Sequence, residues 1–288
     1  MVSNAAPSAV LNTYGELDEL KKRCGITGTD ADQTLWMSLY SASRAVEAHC
    51  NRRLYVSCMT RRFDVAHPAG FAVPDLVSVV EMREDANRDR VFEVIRNPDD
   101  YILHPLNADP ETPWGRPYTR ILADMMGPRP SFTAGRSAVE VEGHWGYRSD
   151  VSDTGAQLDV GGPLAVDSTS FTVTDGTKLG AGSTILVESE QMFVQQVSAN
   201  SVKVLRGVNG TSAVSHVDEV SVRVFRYPPQ VVESTLLLAA RFWKRKDTPY
   251  GPAAGAHGFG SVVASRALEP DIEWMLSPFR RLPLGVAV

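Results

Sequence analysis

The pattern of apolar and polar positions predicts a helix near the start of the chain, from Asp30 to about Arg52. Its apolar residues recur at steps of three and four, which places them on one face of a helix. They are Leu35, Leu39, Ala42, Val46 and Cys50. Asp30 and Gln33 have the spacing of a capping box, which would satisfy free amides in the first turn.

Between residues 54 and 147 the pattern changes to short segments rich in β-branched and aromatic residues, separated by proline and glycine. Such segments are typical of strands. The predicted strands are Leu54–Val65, Leu76–Glu81, Arg90–Ile95, Tyr118–Leu122 and Ala138–Trp145. The last of them alternates apolar with polar positions, as a half-buried strand does. Residues 107–117 contain three prolines and are predicted to form a loop.

A second group of strands follows between residues 155 and 226. The candidates are Ser170–Thr174, Ser183–Glu188, Gln191–Val197, Ser201–Leu205 and Val220–Phe225, with turn sequences such as Asn209-Gly210 beside them. Five short strands with little helix between them predict a small all-β barrel or sandwich. The fold class is therefore α+β. We expect a discontinuous domain of residues 1–154 and 227–288, interrupted by an inserted β domain of residues 155–226.

A long helix is predicted to begin after Pro228-Pro229 and to end near Lys246. Its apolar residues form two adjacent stripes that leave only a narrow polar strip, so it is buried on more than one side. Burial inside a monomer and burial at a subunit interface both explain this pattern. A Gly-rich loop over residues 247–266 and a short helix from Pro270 to Ser277 are expected to follow.

Composition excludes some classes of protein. The net charge is −5, so no overall basic field points to nucleic acid. Six of the 29 basic residues are lysine, which leaves 23 arginines. Arginine suits interfaces, although a biased genome would give the same excess. Three cysteines favour a reducing compartment over a disulfide framework. The sequence contains no pattern of a signal peptide and no long apolar run, so we expect no membrane partner.

Candidate chemistry is sparse. His49, Cys50, Cys58 and His67 lack the spacing of metal ligands, and Cys50 belongs to the apolar face of its helix. No nucleophile elbow or phosphate-binding loop is present, and Glu188 and Glu190 are expected to be solvated on one face of a strand. We therefore expect no enzyme activity, no metal and no cofactor.

One basic cluster has two interpretations. Arg241, Lys244, Arg245 and Lys246 lie at the end of the long predicted helix. They can complement the helix dipole and contact water. They can also form a cationic strip that faces DNA or a partner protein, although sequence-specific DNA binding is not indicated.

Three stretches of the chain carry a family resemblance. They are residues 35–54 (LWMSLYSASRAVEAHCNRRL), residues 141–147 (VEGHWGY) and residues 228–247 (PPQVVESTLLLAARFWKRKD), and the close from Leu268 to Arg281 adds to them. In this order and spacing they resemble the head–tail connector (adaptor) proteins of long-tailed phages. Residues 183–194 and the Arg206-Gly207 turn that ends at Thr211 are similar to a small β module of phage structural proteins, in which an acidic residue and this turn shape the domain.

The resemblance implies a structural role in the neck of a virion assembled in a bacterial cytoplasm. It implies a ring of about twelve subunits between the portal protein and a tail-side connector or stopper protein. Double-stranded DNA would pass through the lumen, without catalytic residues or cofactors. The candidate interface or lumen residues are Arg241, Lys244, Arg245, Lys246, Trp243, Trp274, Phe279, Arg280 and Arg281. The alternative is a decoration or host-surface binding protein that uses the inserted β domain.

Overall fold

The computed structural model describes residues 5–245 and 268–281. The described residues form four α-helices and twelve strands in two antiparallel sheets, which confirms the α+β class. The helices are α1 (Leu17–Cys24), α2 (Asp32–Cys50), α3 (Pro229–Lys244) and α4 (Pro270–Leu276). The strands are β1 (Ser57–Val65), β2 (Gly70–Glu84), β3 (Val94–Arg96), β4 (Tyr101–His104), β5 (Tyr118–Ala123), β6 (Gly135–Trp145), β7 (Val151–Gln157), β8 (Ser170–Thr172), β9 (Thr184–Val187), β10 (Glu190–Ser198), β11 (Ser201–Leu205) and β12 (Ser221–Phe225).

The chain divides into two compact units. The helix–barrel unit contains Met1–Asn51, Asp153–Arg206 and Val214–Val288, and the sheet unit contains Arg52–Ser152 and Gly207–Ala213. This division by compactness groups the helices with the second set of strands. The predicted domains are defined differently, by a segment inserted in the sequence with boundaries at residues 154/155 and 226/227. Those boundaries stay a prediction.

In the helix–barrel unit, the other helices pack against α2. Its predicted apolar residues are all fully buried, and Trp36 is buried with them. The helix begins two residues later than predicted, at Asp32, and its N-cap Ala31 makes no side-chain capping bond. The predicted capping box is therefore wrong. Asp32 instead accepts a hydrogen bond from Lys21 of α1 at 2.7 Å, so the carboxylate joins two helices.

The long helix α3 begins at Pro229, as its two prolines predict. It packs against α1, α2 and α4. Its fully or nearly fully buried residues are Val231, Ser234, Thr235, Leu236, Leu238 and Ala239. Burial on several sides within one copy accounts for much of its apolar circumference.

The five predicted strands of the second group correspond to β8–β12, and together with β7, which was not predicted, they form one six-stranded sheet in the order β7-β12-β9-β10-β11-β8. Leu158 and Val173 form a bridge between the chain after β7 and the chain after β8. Two backbone hydrogen bonds flank it, from the Asp159 amide to the Thr172 carbonyl and from the Thr174 amide to the Gln157 carbonyl. The first and last strands are thus joined, and the sheet closes into a small barrel, which leaves few unpaired edges. Leu158, Ile185, Val187, Met192, Val194, Val202, Val204 and Val222 fill its core.

The sheet unit contains the order β1-β6-β2-β5-β4, with β3 also paired to β2. The alternation predicted for β6 is confirmed, since Val139 and Val141 are fully buried while Glu140 and Glu142 are only partly buried. Trp145, at the end of β6, donates an indole hydrogen bond to the Met59 carbonyl of β1 at 2.7 Å. Three strands differ from the prediction: β4 was missed, β2 begins six residues before Leu76, and β3 overlaps the predicted strand Arg90–Ile95 at two residues only.

Candidate functional site

The predicted interface residues of α3 lie at its last turn and differ in exposure. Arg241 pairs with Glu269, which precedes α4, at 3.2 Å, so this cation is already neutralised in part. Trp243 is partly buried, whereas Lys244 and Arg245 are exposed. Lys246 lies outside the described residues. The exposed basic end of α3 therefore consists of Lys244 and Arg245 within the part of the chain that the structure describes.

The predicted residues around α4 also divide into two groups. Trp274 is 78% exposed, and Arg280 is exposed. Phe279 is only 7% exposed and packs inside the unit, so in a single copy it is a core residue. The backbone amide of Arg281 donates to the Cys50 carbonyl at the end of α2, at 2.7 Å. The Arg241–Glu269 pair joins this region to the end of α3, so the structure brings Trp274 and the basic end of α3 into one helical cluster.

Sequence analysis missed a group of exposed apolar side chains in the sheet unit. Trp114 is 88% exposed and Met126 is 94% exposed, and Leu106 and Met125 are exposed as well. Trp114 lies in the loop between β4 and β5, and both methionines lie in the loop after β5. The signal was present in the sequence, because Trp114 stands between proline and glycine in a segment already predicted to be a loop. A large apolar side chain in such a loop has no core position to occupy.

The loop after β5 is held by a buried ion pair. The Arg96 guanidinium of β3 contacts the Glu84 carboxylate of β2, and both side chains are almost fully buried. Arg96 also donates to the carbonyl oxygens of Arg129 and Ser131, at 2.9 and 2.5 Å. The loop that displays the methionines is therefore anchored to the sheet at its far end.

The barrel contains a buried ionic cluster, which corrects the expectation that Glu190 is solvated. Glu190 begins β10 and is fully buried, while Glu188 lies in the preceding turn and is half exposed. Arg206 makes a bidentate contact with Glu190, with donor–acceptor distances of 2.7 and 2.8 Å. His216 Nε2 lies 2.8 Å from Glu190, and His216 Nδ1 lies 2.6 Å from Glu188. The cluster fixes both ends of the segment between Arg206 and Val214, because the Val214 amide also donates to Glu190 at 3.1 Å.

A groove in the helix–barrel unit lies between α1, α3 and the end of β12, with a volume of about 730 Å³. Its apolar floor includes Phe225, Val232 and Leu236. Glu16 lies at its edge and packs so closely on Gly180 that a Cβ there would sit 1.9 Å from the carboxylate. Burial raises the pKa of Glu16, and the nearby Glu19 carboxylate raises it further, while Arg226 acts in the opposite direction.

Metal-binding chemistry is limited in the described residues. Asp85, Asp89 and Glu93 lie close enough to share a cation. However, Asp85 already accepts hydrogen bonds from the backbone amides of Arg88, Asp89 and Arg90, so its carboxylate shapes the loop after β2. Cys24, Cys50 and Cys58 are free thiols, and Cys50 is buried. Within residues 5–245 and 268–281, no helix combines the length and apolarity needed to cross a membrane.

Comparison with known proteins identifies few similarities. No protein-family model matches the sequence, and no curated protein matches it. Among solved structures, the fold is similar to a chain described as the neck of an empty GTA particle computed with C6 symmetry. The likeness covers 97% of this chain and 95% of that chain, with a TM-score of 0.41 and 12% identity. A likeness of this degree assigns neither a fold family nor a function to the chain.

Proposed function

We propose that this protein is a structural, non-enzymatic adaptor in the neck of a phage-like particle. Copies would form a ring between the portal and a tail-side connector, with DNA passing through the lumen. The main support is the set of apolar side chains that a single copy leaves uncovered, above all Trp114, Met126 and Trp274. Large apolar side chains that stay exposed in one copy would leave water if another copy or a partner packed on them.

The positions in the fold of the three stretches that resemble connector proteins add support to this proposal. Residues 35–54 contain most of α2, residues 141–147 contain the end of β6, and residues 228–247 contain α3. Two of them, α2 and α3, pack directly against each other. Each of the stretches that resemble connector proteins therefore contributes buried residues to the core of a unit, such as Leu39, Trp145 and Leu238.

The alternative, recognition of a host surface by the barrel, has less support. Carbohydrate sites need exposed aromatic rings. Residues 155–226 contain three phenylalanines and no tryptophan or tyrosine, and two of the three, Phe171 and Phe193, are buried. We therefore propose a contact with capsid or portal as the role of the barrel.

Native mass spectrometry of the protein alone and mixed with the portal ring of its particle tests the proposal. We expect a monomer or weak oligomer alone and a ring of bound copies on the portal. Trp114→Ser with Met126→Ser should reduce the bound copies, whereas Val91→Ser, at an exposed apolar residue of the sheet unit outside these two loops, should not. Failure of the wild-type protein to bind the portal would count decisively against an adaptor role.

A further inference from the structure

A second cavity, of about 600 Å³, lies within the sheet unit between β2, β4, β5 and the loop of residues 105–117. Its walls include the apolar side chains of Val77, Val79 and Leu103. Two tyrosines, Tyr101 and Tyr118, also line it. Apolar walls with aromatic rings suit the alkyl stem of a long side chain, and the ring faces attract its cationic end.

The charged residues that line this cavity are all acidic. Asp109 and Glu111 line it, and no lysine or arginine is among its lining residues. Both acidic side chains are exposed, and within the described chain no cation lies within ion-pair distance of either carboxylate. Burial raises the pKa of Tyr118, and Asp109 and Glu111 raise it further. Burial likewise raises the pKa of Tyr101, so both phenols stay neutral at neutral pH.

The loop that supplies the two carboxylates is internally braced. The Thr112 amide donates to the Asp109 carbonyl, and the Gly115 amide donates to the Thr112 carbonyl, each at 3.0 Å. A Cβ on Gly115 would lie 1.8 Å from the Asp109 carbonyl oxygen, so only glycine fits there. A braced loop loses little conformational entropy on binding, which favours recognition by this surface.

We propose that this cavity binds the exposed lysine and arginine at the end of α3 of a second copy of the chain. Lys244 and Arg245 are exposed, and no carboxylate lies within ion-pair distance of either in the described chain, whereas Arg241 is already paired with Glu269. Their positive charge complements Asp109 and Glu111, and their stems match the apolar walls. A ring needs such a contact between two different patches, one for each neighbour. The inference rests on the proposed function.

Charge reversal with rescue tests this contact. Asp109→Lys with Glu111→Lys, and separately Lys244→Glu with Arg245→Glu, should each weaken association between copies about tenfold or more. The chain that carries all four changes should recover association, because the charges are exchanged and again opposite. Sedimentation velocity gives the dissociation constant, and native mass spectrometry counts copies on the portal ring. Asp159→Lys with Asp167→Lys, an equal charge change at exposed positions of the barrel, is the control for association between copies and should leave the dissociation constant unchanged.

The outcomes separate this proposal from the proposed function. Unchanged association in either reversed variant, or no recovery in the fourfold variant, overturns the proposal while portal binding continues to test the adaptor role. Weakened binding to duplex DNA without weakened association assigns Lys244 and Arg245 to the lumen, and also overturns it. Circular dichroism checks that each variant folds, and Asp109→Asn with Glu111→Gln replaces the reversed pair if it does not. That milder pair is expected to weaken association severalfold.

Discussion

The buried ionic cluster of the barrel gives the sharpest test of how this fold is stabilised, through the substitution Arg206→Met. The Arg206 guanidinium makes two contacts with Glu190 and donates to three backbone carbonyl oxygens. Those oxygens belong to Ala165, Ser168 and Val214, at 3.0, 3.1 and 2.6 Å. Methionine keeps most of the apolar stem but removes the charge and every one of these hydrogen bonds.

The expected magnitude follows from the burial of the remaining partner. Without Arg206, the Glu190 carboxylate stays fully buried and loses both guanidinium contacts, while His216 and the Val214 amide remain beside it. Breaking a buried ion pair by removing one partner costs about 3–5 kcal/mol, because a buried charge loses its compensation. Glu190→Gln in the Arg206→Met background should recover part of this loss. The coupling energy between the two sites should be at least about 1 kcal/mol.

Urea unfolding combined with hydrogen exchange measures this effect in the intact chain. Exchange read by mass spectrometry on peptides from β9, β10 and β11 reports the stability of the barrel itself, since two compact units need not unfold together. Arg223→Met is the control, because within the described residues that arginine's side chain donates one exposed hydrogen bond, to the Glu188 carbonyl. Its removal should cost less than about 1 kcal/mol. A loss in Arg206→Met no larger than in the control would refute the reasoning, and so would a coupling energy near zero.

Three further predictions concern single sites. Gly210 has a φ of 83° and a Cβ there would lie 1.9 Å from the Cys58 carbonyl oxygen, so Gly210→Ala should cost about 2 kcal/mol or more in thermal unfolding. Trp36→Ala removes a fully buried ring and should cost about 3–5 kcal/mol, visible as a lower urea midpoint. The pKa of Glu16 is raised in the folded state, so its stability contribution falls as pH rises above 4.5. Glu16→Gln should therefore raise the urea midpoint at pH 7 but not at pH 3, and equal gains at both would contradict this cause.

Local sequence patterns were sufficient to predict most of the helices and strands. The three- and four-residue spacing that predicted α2 is a property of the helix itself, and each of its marked residues is buried. The prolines that predicted the start of α3 act within one turn. The prediction of a capping box at Asp30 was wrong because Asp32, two residues later, is bonded to a residue of another helix. The spacing of residues within one helix does not reveal a hydrogen bond to another helix.

The strands that were missed or shortened depend on partners distant in sequence. The strand β7 has the sequence Val-Ser-Asp-Thr-Gly-Ala-Gln, whose polar residues do not predict a strand. It exists because it pairs with β12, some seventy residues later, and because the chain after it closes the barrel. Barrel closure could not be distinguished from a sandwich in the sequence, since both require the same alternation of apolar residues.

Burial of charge was the least predictable property, and it links the candidate sites. Glu188 and Glu190 are two residues apart, yet one is half exposed and the other is fully buried because Arg206 reaches it from the end of β11. In contrast, Asp109, Glu111, Lys244 and Arg245 stay exposed with no ion-pair partner in the described chain. Arg206 thus neutralises the buried Glu190, whereas opposite charges stay without an ion pair at the end of α3 and in the loop before β5 of the described chain. Pairing between copies would neutralise both surfaces at once, which is why the exchange of these four charges, rather than removal of any one, is the decisive experiment.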